Sequence, residues 1–311
     1  MNLTARKDTA RLLADALHLA GHERAEFEAA ARGRGTAGGV AAATRTLPRD
    51  IAAFTGRADE LRQVAAASSQ GGIYAIGGMA GVGKTAFAVR AAHQLAPLFP
   101  DGQIYLPLNA HAPGRQPVQP ADALASLLQT IGIPPAQIPP SPEARACMWR
   151  DRLAGLQLLL LLDDASGSDQ IRALLPGIGG ILVLITSRKH LTALEDARVV
   201  SLDTLPPREA CELLAALATR PGLDPADPAV AQIARHCGRL PLALGMVARQ
   251  LYHHPAWSPE TVAADLAAAR DRSGRGTVTV RACHSPLLRG RIQFWKIAEA
   301  AIIRPAPVGR S

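Results

Sequence analysis

Two regimes of apolar and polar patterning divide this chain. From residue 72 to about 205, short apolar runs recur between longer stretches of helical periodicity. The runs at 72–77 (GIYAIG), 103–108 (QIYLPL), 156–162 (LQLLLLL), 181–185 (ILVLI) and 198–202 (RVVSL) predict five strands. The third and fourth carry no polar face, the pattern of parallel strands covered on both sides. Helices are predicted over 85–95, 121–131 and 142–153, the last opened by Ser141-Pro142-Glu143, a cap followed by proline at the first helical position. This rhythm specifies an α/β fold with a parallel sheet. After residue 205 the strands stop. Segments 207–218, 228–237, 240–252 and 259–270 read as helices parted by Pro/Gly turns, a small all-helical domain following the sheet.

The ends follow other patterns. Residues 8–31 read as two amphipathic helices broken at Gly21, within a helical segment spanning 1–35. Residues 36–50 belong to a Gly/Ala/Arg-rich linker, 51–205 form the sheet domain and 206–270 the helical one. Residues 271–311 lose the helical pattern and read as a basic, poorly ordered tail with at most one short helix near 292–301. No internal repeat is visible.

Composition changes the picture little. A chain of 311 residues with 48% hydrophobic and 19% charged residues is globular rather than disordered. The net charge of +8 suggests nucleic acid until it is located. Eight Lys/Arg against two acidic residues in 271–311 account for +6 of it, leaving the body close to neutral. Arginine exceeds lysine 30 to 4, which reads as genomic bias. Four scattered cysteines without a CxxC pair fit a reducing, cytoplasmic setting. No run approaches about 20 apolar residues, so no membrane span is expected.

Chemistry enters at Gly78-Met79-Ala80-Gly81-Val82-Gly83-Lys84-Thr85, a GxxxxGKT phosphate loop between a predicted strand and helix. Its glycines let backbone N–H groups converge on phosphate oxygens, Lys84 can reach the β- and γ-phosphates, and the Thr85 hydroxyl can face Mg²⁺. The helix beginning there, with Ala86 in its first turn, adds its dipole. The bland alternative is a glycine turn before a helix. The apolar run 158–162 delivers Asp163-Asp164, the Walker B arrangement: Asp163 as a Mg²⁺ ligand, Asp164 orienting or deprotonating water. Alone, that pair is equally a helix cap or solvated turn. Residues 181–185 run into Thr186-Ser187-Arg188, placing Arg188 at the ligand-bearing edge as a γ-phosphate sensor, or else as a solvated arginine. Residues 238–244 (GRLPLAL) are a Gly-terminated helix followed by a Pro-started one, with no site implied by spacing.

In this order, FTGRADEL at 54–61, GMAGVGKT, LLLLLDD, LITSR and CGRLPLAL resemble the NB-ARC family of STAND-type signalling ATPases, as found in actinobacterial regulators. The resemblance covers roughly 50–270. It implies a P-loop NTPase domain with a five-stranded parallel sheet and a helical lid. It places Phe54, Thr55, Gly56 and Arg57 on the adenine side, Pro241 over the base, and Arg188 as sensor. Lys84, Asp164 and Arg188 would act in catalysis, Thr85 and Asp163 on Mg²⁺. It implies a transcriptional-regulatory switch between closed ADP-bound and open ATP-bound states, with slow hydrolysis, and a protein partner or self-association on activation.

Departures stand beside the match. Ala58 replaces a common acidic residue, although Glu60 remains, and no MHD-like motif follows the lid. A frameshift or truncated reading frame would account for the abrupt change near Arg270. Residues 8–31 weakly resemble the last helices of a Cro/repressor-like helix-turn-helix domain, or are an ordinary helical hairpin. Without the reading helix, DNA binding by this chain alone is not expected. Two other functions stay open: a non-catalytic ADP-binding fragment or interaction module, and an actively cycling P-loop ATPase. His18 and His22 share a helix face but lack a third metal ligand, and His236, His253 and His254 read as packing or surface.

Overall fold

The computed structural model describes residues 43–66, 71–177 and 179–272. The expected N-terminal helices, most of the linker and the tail lie outside the described residues. The chain divides into two compact units, 1–44 and 45–311, and nearly all described residues belong to the second.

Its centre is a parallel sheet. Strands β2 (Gly72–Gly78), β3 (Gly102–Pro107), β4 (Leu158–Ala165), β5 (Ile181–Ser187) and β6 (Ala197–Leu202) answer the five apolar runs. A two-residue strand, β1 (Thr44–Arg45), is added beside β3, so the order is β1-β3-β4-β5-β2-β6 and the sheet has six strands rather than five. Two residues carry no alternation, which is why this edge read as linker. The segment is tied down next door, where Thr46 N–H donates to the Gln103 carbonyl at 2.9 Å and Thr46 Oγ1 accepts Tyr105 N–H at 2.8 Å. The pairs β2–β5, β2–β6, β3–β4 and β4–β5 are parallel.

The apolar run of β4 feeds two cores. Leu158, Leu160 and Leu162 join Ile104, Leu124, Leu127, Trp149, Val183 and Ile185. Leu159 and Leu161 join Tyr74, Ile76, Phe87, Ala88 and Leu184 on the other face. With period two, each leucine is buried whichever way it points, at about 1.5–3 kcal/mol apiece. One face is covered by α3 (Pro120–Thr130), α4 (Pro142–Leu153) and the short α5 (Ser168–Arg172); the other by α2 (Lys84–Leu95), with Val64 of α1 (Ala58–Ala66) in the same core. The sequence pattern did not predict α1 or α5. Ser141 caps α4 as expected, accepting Ala144 N–H at 3.2 Å.

Helices α6 (Pro207–Ala218), α7 (Pro228–His236), α8 (Pro241–His253) and α9 (Pro259–Arg272) share a third core of Leu205, Leu214, Ile233, Leu244 and Leu251. Proline opens all four; its missing N–H is one a helix start does not need.

Candidate functional site

The strand order decides where the motifs meet. Strand β5 lies between β2 and β4, while β3, which follows β2 in sequence, goes outward. The carboxyl ends of β2, β5 and β4 therefore open on one crevice. A cavity of 560 Å³ lies there, a size common for ligand sites. Its walls are chemically divided. Lys84, Thr85, Asp163, Asp164, Thr186 and Arg188 line the polar part; Ile51, Ala53, Phe54, Leu205, Leu213 and Leu217 line the apolar part.

The phosphate loop is built by its backbone. Gly83 adopts φ 95° at the start of α2, a conformation that L side chains rarely take, and its carbonyl accepts Phe87 N–H at 2.9 Å. Lys84 Nζ donates to the Gly78 and Met79 carbonyls, both at 2.8 Å, and so folds back along the loop. Burial first, then the positive charge of Arg188, lowers its amine to about 8, against an upward pull from Asp164 and Asp163. Ala80, Gly81, Val82 and Ala86 also line the cavity, whereas Gly78 and Met79 do not.

Asp163 is the hub. It is 7% exposed and accepts from three hydroxyls: Thr85 Oγ1 and Thr186 Oγ1 reach Oδ1 at 2.7 and 2.6 Å, and the Tyr105 hydroxyl reaches Oδ2 at 3.1 Å. The phenol of Tyr105 is pushed well above its ordinary pKa, by burial and then by the Asp163 charge. Thr186 Oγ1 also accepts Asp164 N–H at 2.8 Å, so one hydroxyl joins both acidic residues. Asp164 sits at φ 56°, a strained turn of the kind that gathers at functional sites. Both its oxygens are engaged by one residue: His111 N–H donates to Oδ2 at 2.7 Å and His111 Nδ1 lies 2.8 Å from Oδ1.

The remaining predicted residues form the rim. Phe54 and Thr55 line the cavity, as does Arg57, whose buried guanidinium pairs with Glu60 at 3.0 Å and donates to the Asp203 carbonyl. Gly56 lies off the cavity against Glu209 of α6; a Cβ there would fall 1.9 Å from Glu209 Oε2. Pro241 lies beside Gly83, and Leu242 N–H donates to the Gly81 carbonyl at 3.1 Å, seating the start of α8 on the phosphate loop. Arg188 is exposed, lines the cavity, and has no carboxylate pairing with it among the described residues.

Tyr105, His111 and Leu217 carried no sequence signal for this site. Tyr105 looked like an ordinary strand residue, and His111 lies in a loop without periodicity. Thr186 stood inside the LITSR run, but its double hydrogen bond has no mark in sequence. Among the described residues no helix is long and apolar enough to cross a membrane.

No family model matches the chain. Its sequence is 36% identical over 236 residues to the regulatory protein AfsR of Streptomyces coelicolor, covering 73% of this chain and 24% of that protein. The chain is homologous to part of AfsR. The AfsR of Streptomyces griseus is 35% identical over 244 residues, covering 76% and 25%. The chain thus spans about a quarter of the length of the AfsR relatives it matches. Among solved structures, a signal transduction ATPase with numerous domains (STAND), bearing a tetratricopeptide repeat sensor, from Pyrococcus horikoshii has a TM-score of 0.46 at 20% identity, covering 65% of this chain and 31% of that one.

Proposed function

We propose that this chain is the nucleotide-binding switch of an NB-ARC/STAND-type regulator, holding ADP or MgATP and hydrolysing ATP slowly, in the service of transcriptional regulation. The observation that carries the reading is the Thr85–Asp163 contact of 2.7 Å at the foot of a glycine loop bearing Lys84. It brings the two nucleotide motifs, 78 residues apart, to one point. Homology to AfsR, a regulatory protein, supports the regulatory part.

The residues fit the groups. The loop presents glycine backbone and a half-buried ammonium to phosphates, and the apolar wall suits a planar base. Thr85 and Asp163 would hold Mg²⁺, an oxygen-seeking ion that takes few protein ligands and fills its shell with phosphate and water. When bound, Mg²⁺ neutralises phosphate charge. Arg188 would meet a γ-phosphate and Asp164 would orient water, with His111 holding its carboxylate. Pro241 and Leu242 close the lid onto the loop, the contact through which a nucleotide would bias lid position. Only a nucleotide with unequal affinity for the two lid positions shifts that balance.

The test is the nucleotide itself. The purified chain is expected to retain ADP, identified by mass spectrometry, and to turn over slowly. Arg188→Ala is expected to lose the difference between ATP and ADP affinity. Rapid multiple turnover would instead support an actively cycling ATPase, and undiminished discrimination would remove Arg188 from the sensor role.

A pH dependence follows from Lys84. Phosphate raises the pKa of the amine beside it, so binding takes up a proton wherever the free amine is neutral. Affinity is then full below about pH 8 and falls as pH rises through that value. ADP affinity is expected to drop roughly tenfold from pH 7 to pH 9. Calorimetry in buffers of different ionisation enthalpy at pH 9 should register uptake of about one proton; zero uptake would contradict this role for Lys84.

A further inference from the structure

Helix α2 carries the phosphate loop at its N-terminus and, six residues beyond Lys84, a second anchor that points elsewhere. Arg90 Nη1 pairs with Asp50 Oδ2 at 2.7 Å, and Nη2 donates to the Ile51 carbonyl. The same guanidinium lies over the Phe54 ring, 5.2 Å from its centroid. Asp50 is fixed in turn, since its Oδ1 accepts Ile51 N–H at 2.8 Å. Among the described residues the third nitrogen, Nε, is buried without a hydrogen-bond partner, and the polar contacts of this guanidinium fall on residues 50 and 51. One turn later on the same face, His93 Nε2 lies 2.8 Å from the Pro48 carbonyl. Ile51, Ala53 and Phe54, the segment so held, line the same cavity as Lys84 and Asp163.

We propose that Arg90 is a positioning residue for nucleoside selectivity: it fixes the apolar lip at 50–54 to the phosphate-gripping helix and so sets the spacing between phosphate cradle and base. Six residues of helix are about 9 Å along the axis, so one rigid rod sets the two ends of the site apart. The guanidinium performs three tasks at once, ion pair, carbonyl donor and ring cover, which requires its planar fork. Phe54 is thereby held as a flat wall for a heterocycle instead of moving with a loose loop. Arg90 touches no phosphate in this scheme, so a ligand that lacks a base does not sense it.

The inference rests on the nucleotide reading of the cavity, and the test separates the two. Affinities for ADP, ATP and inorganic tripolyphosphate are measured by calorimetry on the whole chain for wild type, Arg90→Gln, Phe54→Ala and the double variant. Arg90→Gln is expected to weaken ADP and ATP roughly tenfold or more while changing tripolyphosphate less than about twofold. In the Phe54→Ala background, Arg90→Gln is expected to cost little further, because both act through the same wall. Equal losses for tripolyphosphate and nucleotide would overturn the inference, marking Arg90 as a support of α2. Unchanged nucleotide affinity would overturn it as well. A wild type that binds none of the three ligands defeats the nucleotide reading first, and the inference with it.

Discussion

Lys84→Ala is expected to remove most nucleotide affinity while leaving the fold intact. The amine lies on two loop carbonyls at the surface of the phosphate cradle and fills no core. Its ammonium would make charge-assisted hydrogen bonds to phosphate, worth about 1.5–3 kcal/mol, hence a loss of roughly 10- to 150-fold. ADP and MgATP should both suffer, because the amine can reach β- and γ-phosphates alike. Calorimetry on variant and wild type, with circular dichroism as the folding check, measures this. A loss below about twofold would remove the phosphate loop from the mechanism.

Asp163→Ala is expected to act twice. The carboxylate is buried and receives three hydroxyl protons, so its removal leaves Thr85, Thr186 and Tyr105 without their acceptor. Of the three donors Thr186 is buried, Tyr105 half-buried and Thr85 exposed, so the cost of an unmet buried donor, about 1–3 kcal/mol, falls chiefly on Thr186. For a folded unit of this size that lowers the melting temperature by roughly 2–12 °C. Separately, the Mg²⁺ dependence of ATP binding should disappear, with ADP binding affected less. Asp163→Asn distinguishes the two effects: it keeps an acceptor oxygen and so recovers stability, but lacks the charge and so does not recover the Mg²⁺ response. Identical Mg²⁺ titrations for wild type and Asp163→Asn would refute the metal role, whatever the melting temperatures show.

The homology to AfsR gives these tests a setting. The chain corresponds to about a quarter of the length of that protein. The described part offers a cavity lined by both the glycine loop and the helices after the sheet, and a direct backbone contact, Leu242 to Gly81, linking them. Any nucleotide-driven change must break or keep that contact.

Periodicity alone determined much of the scaffold. The run LLLLL could be buried only with cover on both faces, and the structure gives Leu158, Leu160 and Leu162 one core and Leu159 and Leu161 another. Proline at the first turn marked α4 and the four helices after the sheet, because helix starts are the places where a missing N–H costs nothing. GxxxxGKT was legible because its chemistry is local: backbone donors, a cation and a hydroxyl on consecutive residues. Strand β1 and helices α1 and α5 were not, being too short or too weakly patterned for a period to register.

What tertiary structure decided was proximity. Insertion of β5 between β2 and β4 is invisible in a linear pattern, yet it is what lets Thr186 bridge Asp163 and Asp164. His111 meets Asp164 across 53 positions, and Arg90 meets Ile51 across 39. Such contacts depend on which strands adjoin and which loop lies over a strand end, and neighbour choice is set by packing of the whole sheet. Residue types along the chain marked the GxxxxGKT loop and the acidic pair; only the folded sheet supplied the side chains that meet those acids and hold the 50–54 segment in place.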